Sequence, residues 1–130
     1  MAINFHPKPG MVLMCDFRGT VVPEICKNRP VVIISAMQRT QLSTIVPLNT
    51  KTPTVIQPCH IRLRSTPFPS ARVENWAKCD LVMTVSHTRL DRVRLATGQF
   101  VIGVVSAQEL NEIRIAAAYS FGVDRYGRCR

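Results

Sequence analysis

The chain has 130 residues with 17 basic against 8 acidic side chains, formally +9, which suits one domain able to bury a core and favours a polyanionic partner, most often nucleic acid, or a basic face awaiting an acidic protein. Its longest apolar runs, such as Val31–Ile34, fall far short of a bilayer span, and the start "MAINFHPKPG" lacks a basic region followed by a long apolar stretch, so a soluble, cytoplasmic protein without membrane contact is expected. The cysteines (Cys15, Cys26, Cys59, Cys79, Cys129) are odd in number and contain no C-x-x-C pair, which argues for free thiols and against a zinc site or disulfide framework.

"MVLMCDF" (Met11–Phe17) reads as the first strand, and "RGTVVPEICKNR" as a turn-rich loop holding Gly19 and Pro23. "PVVIISA" follows as an unbroken run of mostly β-branched residues, with Pro30 in the first position where a strand tolerates it. "MQRTQL" fits a hairpin loop leading into the next strand, Ser43–Asn49. After the loop Thr50–Thr54, Cys59–Arg64 alternates as a half-exposed strand. "STPFPSARVEN" is a long Pro- and Ser-rich surface loop, and loops of that length are often functional. Cys79–Ser86 is again strand-like, and "VRLATGQFVIGVV" holds one or two short strands around Gly98.

The last element is a helix. Ser106 and Glu109 in "SAQE" form a capping box, and Leu110, Ile113, Ala117 and Phe121 make one apolar face that Gly122 terminates. Residues 123–130 are basic and read as a mobile tail after a single domain spanning 1–122. Several strands followed by a C-terminal helix predict a mainly β, α+β fold, a small antiparallel barrel or a strongly curved sheet.

Three ordered motifs carry a family resemblance. "GMVLMCDF" with "PEICKNRPVVIIS" joins an opening strand to a Glu-bearing loop and an R-P-V strand start. "TIVPLNT" ends a strand on V-P. "WAKCDLVMTVSHTRLDR" sets an acid after a basic residue. From about Gly10 to the final helix this order resembles the PemK/MazF family of toxin–antitoxin toxins. The resemblance implies an SH3-like barrel or curved antiparallel sheet with a C-terminal helix, shared with gyrase poisons. It implies a homodimeric, metal-independent endoribonuclease with no cofactor, acting on single-stranded RNA such as mRNA. It also implies a cognate antitoxin whose disordered tail covers the active groove.

Such cleavage uses the RNA's own 2′-hydroxyl against the adjacent phosphorus, leaving a 2′,3′-cyclic phosphate and a 5′-hydroxyl. It needs a proton acceptor, a cation for the phosphorane and a proton donor for the leaving oxygen. Arg29 suits the cation role, since two N–H groups can bridge phosphoryl oxygens; without the family match, pairing with Glu24 is the plainer use. Glu24 either orders Arg29 or the RNA, or is a solvated loop acid. By resemblance Asp80 is the general base, the alternative being a strand-end cap or salt bridge. Lys78 stands where one branch of the family has arginine, and in an extended segment it shares a face with Asp80. The family threonine after V-P-x aligns with Asn49, with Thr50 next door. Pro23 stands where some members keep histidine. Lys27, Asn49, Arg92 and Arg94 are the expected RNA contacts, the last two as one side of an arginine stripe that otherwise forms a solvated sheet face.

Of the histidines, His6 lies at the start, and His60 and Cys59 are expected on opposite strand faces. His87 is the nearest to a chemical candidate, although packing is the commoner use. Phe68 and Trp76 bracket the Pro-rich loop, where stacking on a base competes with core anchoring. Two other readings remain: a protein-binding inhibitor of the gyrase-poison kind, and a degenerate relative that binds RNA without turnover.

Overall fold

A computed structural model of the chain describes residues 3–69, 71 and 74–130. In chain order its strands are β1 (Met11–Cys15), β2 (Arg29–Met37), β3 (Leu42–Asn49), β4 (His60–Arg62), β5 (Trp76–Lys78), β6 (Met83–Ser86), β7 (Leu90–Asp91), β8 (Val93–Arg94), β9 (Phe100–Val101) and β10 (Gly103–Val104), followed by helix α1 (Ala107–Ser120). The central strands β1, β2 and β3 pair antiparallel in sequence order. On its far edge β3 takes β6 beside Leu42–Ile45 and β5 beside Leu48–Asn49, and β4 adds beyond β5. The outer edge of β1 takes β10 beside Met11 and Val12 and β7 beside Met14 and Cys15. The result is a curved sheet rather than a closed barrel, as the alternation of short strands suggests.

The unbroken apolar run of β2 has a physical reason: both faces are covered. Val32 and Ile34 join Val12, Val46 and Leu48 on the face that receives Ile113, Ala116 and Ala117 of the helix. Val31 and Ile33 join Leu13, Cys15, Phe17, Ile45, Val85 and Leu90 inside the curl. Each fully buried valine, leucine, isoleucine or phenylalanine among them contributes about 1.5–3 kcal/mol. Close approach explains the glycine of β10, because a Cβ at Gly103 would stand 2.6 Å from the Pro67 carbonyl oxygen and 2.9 Å from Val12 Cβ.

The capping box forms as expected. Ser106 Oγ accepts the Glu109 amide at 3.0 Å, and Glu109 Oε1 accepts the Ser106 amide at 3.0 Å. Glu109 is also buried, and its other oxygen accepts the Arg64 amide at 2.8 Å. Burial by itself raises this carboxyl's pKa, but the amides of Ser106 and Arg64 outweigh it and the net shift is downward from 4.5. A lowered folded-state value stabilises the fold above the unfolded value and loses that contribution as pH falls through the folded one. Glu109→Gln is therefore expected to lower the melting temperature at pH 7, by about 1–2 kcal/mol of stability. The gap from wild type narrows once the pH is well below 4.5; an equal gap at both pH values counts against this role.

Two expected features differ. Residues Cys79–Leu81 form a 3₁₀ turn instead of opening a strand, which starts only at Met83. The helix stops at Ser120, so Phe121 is its exposed C-cap, and Gly122 follows at a φ of +89°. After the helix the chain turns back: Val123 bridges to Cys129, the Asp124 carboxylate binds Arg128, and the Arg130 guanidinium lies 3.6 Å over the Tyr119 ring. All five cysteines are free thiols. Among the described residues no helix is long and apolar enough to cross a membrane.

Candidate active site

Arg29 opens β2, Asn49 closes β3 and Lys78 closes β5. The β2–β3 register pairs Val31 with Pro47, and its extension sets Asn49 across from Arg29. Asn49 in turn pairs with Trp76, two residues before Lys78. Three strand ends thus bring these polar side chains to one rim, around a pocket of about 70 Å³ walled by Ile25, Pro47, Leu48 and Leu81. Arg29 and Lys78 are half-buried there. Partial burial strengthens their pull on an anion, because the local dielectric is below that of water.

Among the described residues, no hydrogen bond or ion pair occupies the Arg29 guanidinium. The expected alternative partner is engaged elsewhere: Glu24 Oε1 accepts the Val21 amide at 3.0 Å, closing the exposed turn Val21–Glu24, and Glu24 does not line the pocket. A short turn beside the carboxylate offers a nearer donor than a side chain five positions on. Asn49 Oδ1 accepts the Lys51 amide at 3.1 Å, which leaves the amide NH₂ group to donate. Its neighbour Thr50 is exposed and does not line the pocket. Lys27 is exposed in the loop two residues ahead of Arg29.

Asp80 departs from expectation. The chain leaves the extended conformation after Lys78 and enters the 3₁₀ turn, so Lys78 and Asp80 do not share a strand face. Lys78 and Leu81 line the pocket, whereas an Asp80 carboxylate oxygen lies with Cys59 and His60, the three ligand atoms all within 4.8 Å of one another. Cys59 and His60 therefore converge instead of facing apart, because the strand begins at His60 and Cys59 belongs to the preceding turn.

A second, larger groove of about 590 Å³ is lined by Arg92, Arg94, Arg18 and Phe100 among others. Asn28 lines this groove, and its chain neighbour Arg29 lines the smaller pocket. Arg92 and Arg94 are thus on a concave surface, as the arginine stripe suggests. Phe100 escapes a sequence reading. It pairs with Arg94 across β8–β9, and the Arg92 guanidinium lies 4.8 Å from its ring centroid. Only cross-strand register brings these together. Arg89, also at the groove, is structural: its Nη1 donates to the carbonyls of Asp16 at 2.9 Å and Arg18 at 2.7 Å.

His87 is a packing residue. It is buried, its Nε2 lies 2.7 Å from Ser43 Oγ, and burial lowers its pKa. His6 packs edge-on against it with ring centroids 5.7 Å apart. Trp76 is buried and donates from Nε1 to Glu74 at 2.7 Å, so it anchors the core. Phe68 packs against the helix-side core. Residues 70, 72 and 73 of the Pro-rich loop lie outside the described residues.

Residues 8–121 match the family model described as PemK-like, MazF-like toxin of type II toxin-antitoxin system. The chain is 32% identical to the uncharacterised protein YifN of Escherichia coli (strain K12), over 75% of this chain and 80% of that one. Among solved structures it is similar to MazF from Deinococcus radiodurans, with a TM-score of 0.69 at 17% identity, covering 92% of this chain and 100% of the other. It is also similar to an endoribonuclease from a Mycobacterial species in complex with its cognate antitoxin, with a TM-score of 0.59 at 23% identity, covering 89% and 95%. At those identities the two structures show the shared fold.

Proposed function

Because the chain belongs to the PemK-like, MazF-like toxins of type II toxin–antitoxin systems, we propose that it is an endoribonuclease that cuts single-stranded RNA, mRNA in particular, without a metal ion. The observation behind this reading is the pocket in which Arg29, Asn49 and Lys78 meet, with the guanidinium uncommitted among the described residues.

The scissile phosphate sits against Arg29, whose planar fork donates to two equatorial oxygens as negative charge builds in the phosphorane. Asn49 adds a neutral donor that fixes the phosphate's orientation. Lys78, the second cation lining the pocket, is assigned the proton that the leaving 5′-oxygen takes. Asp80, two residues after Lys78, is the carboxylate to which the proposal assigns the 2′-hydroxyl proton, on condition that it turns from Cys59 and His60 toward the pocket. Glu24 is assigned no chemical step, and Thr50 is a secondary phosphate donor beyond Asn49. Lys27, Arg92 and Arg94 track the flanking backbone, and Phe100 offers a ring for an unpaired base.

Two copies would align two such grooves. A Mycobacterial neighbour is solved with its cognate antitoxin, and an acidic antitoxin segment across the basic groove is the corresponding partner proposed here. An mRNA substrate would call for a cytoplasmic location, which is part of the same proposal.

Purified protein incubated with a diverse RNA pool in excess EDTA is expected to yield fragments ending in 2′,3′-cyclic phosphate and beginning with 5′-hydroxyl. End-specific ligation and sequencing reads both. Intact RNA across the pool, or fragments with 5′-phosphate ends, removes this reading.

A further inference from the structure

Among the described residues, a second gathering of chemistry-bearing groups is at the start of β4. There a Cys59 sulfur, a His60 ring nitrogen and an Asp80 oxygen lie within 4.8 Å of one another. Two chain segments supply them, and the backbone fixes their relation. The Cys79 amide donates to the Cys59 carbonyl at 2.9 Å, and His60 pairs with Lys78 across β4–β5. We propose that this trio is a binding site for a borderline transition-metal cation of the Zn²⁺ class, and that occupancy silences ribonuclease activity by holding Asp80.

The donor set selects the cation. One thiolate, one imidazole and one carboxylate suit Zn²⁺ or Co²⁺, whereas Mg²⁺ and Ca²⁺ take oxygen ligands. Tetrahedral coordination at 2.0–2.3 Å separates ligand atoms by about 3.3–3.8 Å. The observed limit of 4.8 Å is therefore closed by side-chain shifts of about 1 Å. Cys59 is buried, His60 half-buried and Asp80 exposed, so the site is anchored inside and open outside. A water molecule completes the fourth position.

Asp80 supplies the carboxylate charge beside the thiol. Burial raises the Cys59 thiol's pKa, and the Asp80 carboxylate raises it further. A bound dication reverses that second effect, and the thiol proton leaves to water as the metal–sulfur bond forms. One bond is exchanged: His60 Nδ1 now accepts the Gln57 amide at 3.1 Å. That amide is exposed, and water replaces the ring nitrogen. Among the described residues, Asp80's carboxylate has no hydrogen bond or ion pair to give up.

Silencing rests on the ribonuclease reading; cation binding does not. Co²⁺ is titrated into the full chain with the exposed Cys26 and Cys129 replaced by serine, and the thiolate-to-cobalt charge-transfer band is followed. One saturating equivalent is expected, displaced by Zn²⁺. Cys59→Ser abolishes the band, and His60→Ala, a half-buried change with little effect on folding, weakens binding at least tenfold. No saturable band, or a band unchanged in both variants, overturns the site. In the second arm, Zn²⁺ at one equivalent is expected to slow RNA cleavage at least tenfold, and to slow His60→Ala far less. Equal inhibition of both overturns the silencing. No cleavage in any sample, with cobalt still bound, overturns the ribonuclease reading and the silencing together, and leaves the cation site standing.

Discussion

Arg29→Ala is expected to reduce RNA cleavage by about 10²–10³-fold while leaving the melting temperature nearly unchanged. Removing one donor aimed at developing charge costs about 3–4 kcal/mol of transition-state stabilisation. The two halves of the prediction have separate causes. The guanidinium is half-buried at the pocket and pairs with no described residue, so its loss leaves no orphaned carboxylate behind, and stability is expected to move by no more than about 0.5 kcal/mol. Arg29→Lys is expected to restore only part of the rate. An ammonium keeps the charge but cannot bridge two phosphoryl oxygens. Single-turnover cleavage beside a thermal melt reads both quantities. Wild-type cleavage by Arg29→Ala removes the residue from the mechanism, and a collapsed melt shows it to be structural.

The largest expected loss of stability is at Phe17. Its side chain is fully buried, the largest of that set, and it packs with Leu13, Cys15, Leu90 and Ile45 inside the curl. Phe17→Ala removes that contact area and leaves a cavity, at a cost of about 3–5 kcal/mol. A domain's whole stability is about 5–15 kcal/mol, so a large share is lost. Phe17 also begins the loop that leads to Arg29, and its carbonyl accepts Thr20 Oγ1 at 2.8 Å. Urea unfolding is the measurement. Phe17→Leu is expected to recover about half of the loss, and a cost below about 1 kcal/mol for the alanine variant would mean the curl is loosely packed.

Some of this was legible along the chain because the signals are local. The β-branched run of β2 and the Ser106–Glu109 box each depend on neighbours within a few residues, and both appear as expected. Arg29 and Lys78 were legible as strand-end cations, and their meeting follows from register. Asp80 and His60 stand away from where an extended backbone through Cys79 and Cys59 would put them. Strand β5 is three residues long and the 3₁₀ turn follows at once, so no apolar period marks the change. Glu24 looked like a partner for Arg29 by spacing, but a main-chain amide three residues back captures it. Phe100 carries no signal in isolation, since its role beside Arg92 comes from pairing with Arg94.

The register of β2 against β3 shifts between Ile33 and Ser35, and the extra residue is Ile34. Its carbonyl faces out of the ladder toward the helix, where Arg114 grips it twice, from Nε at 3.0 Å and from Nη2 at 2.8 Å. A slip of one residue would flip the strand's alternation and withdraw this acceptor. Helix docking thus favours the observed alignment of the sheet, because a pair slipped by one residue offers Arg114 no carbonyl to hold.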